Sequence, residues 1–194
     1  ESGSIPELRG HEVVRAEVTH GSSRFDFLLG KGGQEMFLEV KSCTLFSRKV
    51  AMFPDAVTAR GKKHIEELTR LVENGTSCAV LFLVHWPRAE VFLPDFHTDL
   101  EFARAMWDAK DKVRFFPVSV EWGEDLSIVK GRIKILPVLW EALEREAEDR
   151  GSYLILYHLP KKRLIEIGGL GRMTFKQGYY IYVGSAMKSL SKRV

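Results

Sequence analysis

Two carboxylates and an ammonium are spaced along this chain so that a β-hairpin would gather them. They lie in Arg24-Phe25-Asp26-Phe27-Leu28-Leu29 and Met36-Phe37-Leu38-Glu39-Val40-Lys41. Residues i and i+2 of a strand share a face, so Glu39 and Lys41 project together while Leu38 and Val40 project the other way. The connection Gly30-Lys31-Gly32-Gly33 suits a hairpin, which would set Asp26 beside Glu39. Such a group can hold a divalent cation and a water next to a phosphodiester. Mg2+ (or Mn2+) commonly takes one or two carboxylates and completes its shell with waters and phosphate oxygens. Bound there, it lowers the pKa of water and offsets charge on the phosphoryl oxygens. Asp26 and Glu39 would be the ligands, Lys41 would orient or help deprotonate the water, and Glu17, toward the end of the preceding strand, is a further candidate acid for the metal. Glu-x-Lys alone arises by chance about once in a chain of this length, and its plain structural meaning is a solvated strand edge with a cross-strand ion pair. Asp26 across the turn gives the motif its weight.

The elements that must position these groups are legible in the apolar pattern. Residues 13–19, 24–29 and 35–45 read as successive strands, rich in Val, Phe and Leu and punctuated by glycine. Residues 55–73 carry a helical stripe of Ile65, Leu68, Leu71 and Val72, stopped by Asn74-Gly75. Residues 78–84 form a continuous apolar run, as expected of a strand buried on both faces. Residues 99–110 return to helical spacing through Phe102, Ala103, Met106 and Trp107, and 113–120 is again strand-like. The order βββαβαβ predicts an α/β (α+β) domain around a central mixed sheet. Pro137 marks a break. Residues 138–150 read as a charged helical linker, and 151–194 as a separate small segment with strands at 153–159, 164–167 and 179–183 and a helix starting at Ala186.

Bulk composition narrows little. The chain has 194 residues, 45% hydrophobic and 28% charged, as in an ordinary globular protein. A net charge of +3 is too small to mark a nucleic-acid partner by itself, although Lys161, Lys162, Arg163, Arg172, Lys176, Lys188, Lys192 and Arg193 crowd the C-terminal quarter. Cys43 and Cys78, each inside an apolar run, read as buried thiols and fit a reducing cytoplasm. No apolar stretch approaches the length of a membrane span and no signal peptide is visible. The first residue is Glu1 rather than Met, so the chain is expected to be a piece of something longer.

Three blocks in order carry a resemblance: Ser23-Arg24-Phe25-Asp26-Phe27-Leu28-Leu29, then Leu38-Glu39-Val40-Lys41-Ser42-Cys43-Thr44-Leu45, then Met52-Phe53-Pro54-Asp55-Ala56-Val57-Thr58-Ala59-Arg60-Gly61-Lys62-Lys63-His64. Across residues 5–137 the chain closely resembles the sugar fermentation stimulation protein A family. That resemblance implies DNA binding, a regulatory role in sugar metabolism, and a domain of restriction-endonuclease-like PD-(D/E)xK fold preceded in the family by an OB-like domain for which this chain has no room. It places Asp26, Glu39 and Lys41 at the nuclease positions. The literal Pro54-Asp55 pair follows them and is expected to cap the next helix or line the margin of the site. Arg60 and Lys63, on that helix, are expected to contact phosphate, whereas His64 is expected to pack beside Leu68 and Leu71. Gly61 predicts a close approach of the helix to the sheet. His85-Trp86 stands where the family usually carries a Gln-Arg-like pair.

Gly151-Ser152-Tyr153 and Gly178-Tyr179-Tyr180-Ile181-Tyr182-Val183-Gly184-Ser185-Ala186 resemble a GIY-YIG-like domain of uncharacterised function, with Tyr153, Tyr182 and Arg193 loosely at its tyrosine and arginine positions. The acid that would bind metal in such a domain would fall beyond Val194, so a truncated segment without activity of its own is expected, with open strand edges able to pair with another chain and give a homo-oligomer. The function expected of the chain is DNA binding with divalent-metal-dependent phosphodiester hydrolysis. The alternatives are a non-catalytic DNA-binding regulator linked to sugar (maltose) metabolism and a metal-free scaffold. Two acids facing a polyanion favour the first, because they call for a cation between them.

Overall fold

A computed structural model describes residues 5–129, 131–190 and 192–193. The chain divides into two compact units, Glu1–Ala147 and Glu148–Val194. The first is built on a six-stranded mixed sheet in the order β1-β2-β3-β6-β8-β9. Strands β1 (Glu12–His20), β2 (Ser23–Lys31) and β3 (Gln34–Cys43) form an antiparallel meander. Strands β6 (Ser77–Val84) and β8 (Arg114–Ser119) then run parallel to β3, and β9 (Lys134–Ile135) closes the far edge antiparallel. A smaller sheet of β4 (Leu45–Ser47), β5 (Val50–Phe53) and β7 (Val91–Pro94) was not anticipated. Its strands have three or four residues each, too few for alternation to stand out. Mixed α and β elements around a central mixed sheet are the fold class expected.

Local chemistry explains the main elements. Gly32 and Gly33 have φ of +58° and +80° between the paired residues Lys31 and Gln34, and a two-residue turn with positive φ at both centres matches the twist of its strands. Helix α1 (Ala59–Glu73) begins where Thr58 accepts the Gly61 N–H at 3.0 Å. Thr58, not Asp55, is therefore the cap; Asp55 instead accepts a hydrogen bond from the Thr44 hydroxyl at 3.4 Å. Gly75, with φ +88°, ends the helix by donating to the Val72 carbonyl. Helix α2 (Leu100–Ala109) is capped by the buried Asp99, whose Oδ1 accepts the Phe102 N–H at 2.9 Å while its Oδ2 accepts the Thr58 N–H at 2.8 Å. One carboxylate thus ties the entrances of both helices.

The apolar core lies on both faces of the sheet. On one, Phe25, Phe37, Val80, Phe82 and Val84 meet Ile65, Leu68 and Leu71 of α1 and Phe102 and Met106 of α2. On the other, Leu29, Met36, Leu38, Ala79, Phe116 and Val118 pack with Leu8. Gly61 fits the first layer for a different reason from the one expected. A Cβ there would fall 2.8 Å from the Thr58 side chain and 3.1 Å from Phe102, so the close approach is to the cap and to α2, not to the sheet. Helix α3 (Trp140–Glu146), expected as part of a linker, buries Leu143 with Phe96 and Ala103 and belongs to the first unit.

The second unit has a long antiparallel pair, β10 (Gly151–Leu159) with β13 (Gly178–Ala186), and a short one, β11 (Arg163–Glu166) with β12 (Arg172–Phe175). Facing residues Leu156 and Ile181, and Leu154 and Val183, are all exposed. Strand β13 continues through Ala186, and the described residues after it, 187–190 and 192–193, are bends and turns rather than the expected helix; 191 and 194 lie outside the described residues. Among the described residues, no helix is long and apolar enough to cross a membrane.

Cys43 and Cys78 are free and buried. Burial pushes both thiols up to about 12. Above 9.0, the ordinary thiol value, an unfolded chain begins to lose these protons while the folded chain keeps them. Stability should therefore fall as pH rises from 9.0 toward about 12. Urea midpoints across that window, compared with those of a Cys43→Ala/Cys78→Ala variant, check this: the wild type should show the steeper loss. Gly61→Ala should lower the unfolding free energy by roughly 1–3 kcal/mol, because displacing the cap outweighs the helix preference of alanine; thermal unfolding of the variant measures it.

Candidate metal and phosphodiester site

The hairpin brings Asp26 against the strand that carries Glu39, and the contact is to that strand's backbone. The β2–β3 ladder runs from Lys31↔Gln34 to Phe27↔Leu38 and stops there. At the next position the Asp26 Oδ2 accepts the Val40 N–H at 2.7 Å, taking the place of a strand carbonyl. The neighbouring strand is irregular at the same level: Glu17 has φ +54°, a costly conformation for a residue with a Cβ.

Alternation along β3 turns Glu39 and Lys41 to the face covered by α1. Glu39 is 3% exposed. Its Oε1 accepts from Lys41 Nζ at 2.5 Å and from His64 Nδ1 at 2.6 Å. With Nδ1 donating, His64 Nε2 is left to accept, and Arg60 Nε lies 3.5 Å from it. The ring is also held edge-on to Phe25. Both donors crowd one oxygen. The other, Glu39 Oε2, is buried and has no hydrogen-bond partner.

Each residue singled out in the sequence has a definite place. Glu39 and Lys41 come together, Asp26 reaches the Val40 amide between them, and Arg60 approaches through His64. Lys63 does not: it donates to the Ser22 carbonyl at 3.0 Å and lies near Glu67. Glu17 is exposed and pairs with Arg24 at 3.6 Å. His64, expected only to pack, is the residue that was missed. It belongs to the apolar stripe of α1, and the available signal was a polar ring on that stripe one turn after Arg60, facing a strand that carries an acid. The need for a cation between the acids is also relaxed, since Lys41, His64 and the Val40 N–H already serve them.

The group suits a hard cation in kind. The carboxylates of Asp26 and Glu39 are the donors such ions prefer, and the unpartnered Oε2 is a buried acceptor of the sort a ligand would satisfy. Among the described residues no set of three or more His, Cys, Asp or Glu side chains is arranged to hold a metal, so water and substrate oxygens would have to supply most of a shell. In the second unit, Tyr153 and Tyr182 lie with ring centroids 6.1 Å apart. Tyr153 covers Gly184 so closely that a Cβ there would fall 2.4 Å from its ring.

This sheet, with paired acids and a lysine on its central hairpin, defines a nuclease-like fold, and comparison with a solved structure agrees. The Pyrococcus furiosus SfsA structure, described as a complex with Ca2+, matches with TM-score 0.64 and 29% identity over 69% of this chain and 58% of that one. Residues 1–125 match the sugar fermentation stimulation protein RE domain, so the chain belongs to the sugar fermentation stimulation protein family. Residues 152–194 match DUF123, a domain of unknown function. Sugar fermentation stimulation protein homologs of Methanothermobacter thermautotrophicus and Clostridium tetani are 36% identical over 141 residues and 38% identical over 136. These alignments take in 72% and 69% of this chain, which spans 59% of the length of each relative.

The shared oxygen makes Glu39 and Lys41 energetically dependent on each other. Lys41→Met should cost about 3 kcal/mol by leaving a buried charge with His64 alone. Glu39→Gln/Lys41→Met should cost less than the two single changes added together, with at least about 1 kcal/mol of coupling. Urea denaturation of the four proteins of this cycle measures it.

Proposed function

We propose that the first unit binds DNA and hydrolyses its phosphodiester bonds with a divalent metal, Mg2+ or Mn2+. The observation carrying this reading is the division of labour on Glu39: donors occupy Oε1, and Oε2 is buried without a partner, while Asp26 is bonded to the adjoining Val40 amide. Asp26 and Glu39 would hold the cation, which when bound would activate a water and offset charge on the phosphate. Lys41 would hold or move a proton at the attacking oxygen. His64 would fix the Glu39 carboxylate, and Arg60, beyond it, would meet a phosphate oxygen. Lys63 is a weaker candidate for that contact, being engaged with Ser22. The calcium complex of the Pyrococcus furiosus relative supports a hard cation, since calcium and magnesium share a preference for oxygen ligands.

A second reading has its own support. Lys41 and His64 satisfy Glu39 without any metal, which suits a DNA-binding regulator of sugar metabolism that retains the fold without turnover. Labelled single- and double-stranded DNA incubated with Mg2+ or Mn2+ separates the two. Chelator-sensitive cutting is expected, with Asp26→Ala and Lys41→Ala each lowering its rate by at least about a hundredfold. Salt-sensitive binding without cutting, the same in wild type and both variants, would decide for the regulator.

A further inference from the structure

The pair His85-Trp86 begins a rim of aromatic rings just past the carboxyl ends of the parallel strands, where ligands of open α/β sheets bind. Lys41 pairs with Phe82, and His85 follows Val84, so the rim lies three residues, about 10 Å, beyond the site along the strand direction, with His85 bonded to Ser42, whose side chain alternates to the sheet face opposite Lys41. Phe46 stacks on Trp86 with centroids 4.6 Å apart and planes 1° apart, and Trp122 lies beside His85 in nearly the same plane, centroids 5.6 Å apart and planes 14° apart, joined edge to edge by a hydrogen bond. All other ring pairs described in the first unit are tilted or edge-on, at 31–70°. Packed cores favour such edge-on contacts; Phe46 and Trp122 instead belong to near-parallel ring pairs and are large aromatic side chains left 38% and 41% exposed.

Both ring pairs are fixed by hydrogen bonds. Trp122 Nε1 donates to His85 Nδ1 at 2.9 Å, which puts the imidazole proton on Nε2, 2.8 Å from the Ser42 hydroxyl. Trp86 Nε1 donates to the Arg48 carbonyl at 3.0 Å, and the Arg88 guanidinium lies 5.6 Å from the Trp86 ring. Arg48 and Arg88 are exposed and take part in no ion pair among the described residues. Among the acids nearby, Glu90 pairs with Lys49, Glu121 with Arg132 and Asp125 accepts from Ser127, while the exposed Glu124 lies next to Asp125.

We infer that Phe46 and Trp122 are stacking platforms for the unpaired bases of a nucleic-acid strand, with Arg48 and Arg88 beside its phosphates. This rests on the phosphodiester reading above and makes a single-stranded region the preferred substrate. Rigid rings with exposed faces next to unpaired arginines are what sequence-tolerant binding of single strands requires, whereas the bases of a duplex are stacked on one another and offer only their edges.

The test is fluorescence anisotropy of a labelled oligo-dT of about a dozen nucleotides, titrated with the whole chain and compared with a duplex of the same length. Phe46→Ala and Trp122→Ala should each weaken oligo-dT binding about tenfold or more, with the salt slope unchanged because the phosphate contacts remain. Phe46→Tyr and Trp122→Phe, which keep a flat ring, should bind within about threefold of wild type. Urea midpoints confirm that each variant is folded. If the alanine variants bind oligo-dT as the wild type does, or the wild type prefers the duplex, the platform is wrong and the phosphodiester reading stands. If the wild type binds neither strand form, both fall.

Discussion

Glu39 is the constraint from which the rest of the site follows. A carboxylate 3% exposed must be served by donors from its own surroundings, because an unpaired buried charge is among the most destabilising features a fold can carry. Lys41 comes from the same strand two residues on, and His64 comes from the helix laid across that strand. Packing α1 on the sheet and neutralising Glu39 are therefore one event. Were α1 to slide along the sheet, the acid would lose its imidazole as well as its apolar neighbours.

Asp26 adds a second constraint of a different kind. By accepting the Val40 N–H, it ends the regular pairing of β2 with β3 without leaving the backbone donor unpaired. The strands can separate at that level while the acids stay together. The irregularity of β1 at Glu17 lies beside the same point, so the departure from a flat ladder involves three strands.

How much of this was legible depended on the range of the interactions. The apposition of Asp26 and Glu39 could be read because a two-glycine turn fixes the register over a short stretch of chain. The buried strand β6 could be read because a continuous apolar run has few other homes. His64 could not: its partner is 25 residues away, and on an apolar helical stripe a histidine with an acid above it looks like any packed ring. Gly61 signalled a close neighbour but not which one, since the sequence does not say that Phe102 of α2 would lie against it. The short strands of the second sheet and the packing of α3 likewise depend on contacts remote in sequence. In the second unit, alternation identified the strands, but Tyr153 resting over Gly184 needed the register of β10 against β13.

Asp99 has an implication for how this scaffold can vary. Its carboxylate clasps Thr58 with one oxygen and Phe102 with the other, so the segment joining β5 to α1 has its far end pinned to a neighbouring helix. Losing that carboxylate would release the Thr58 and Phe102 amides together, so the entrances of α1 and α2 would loosen as one.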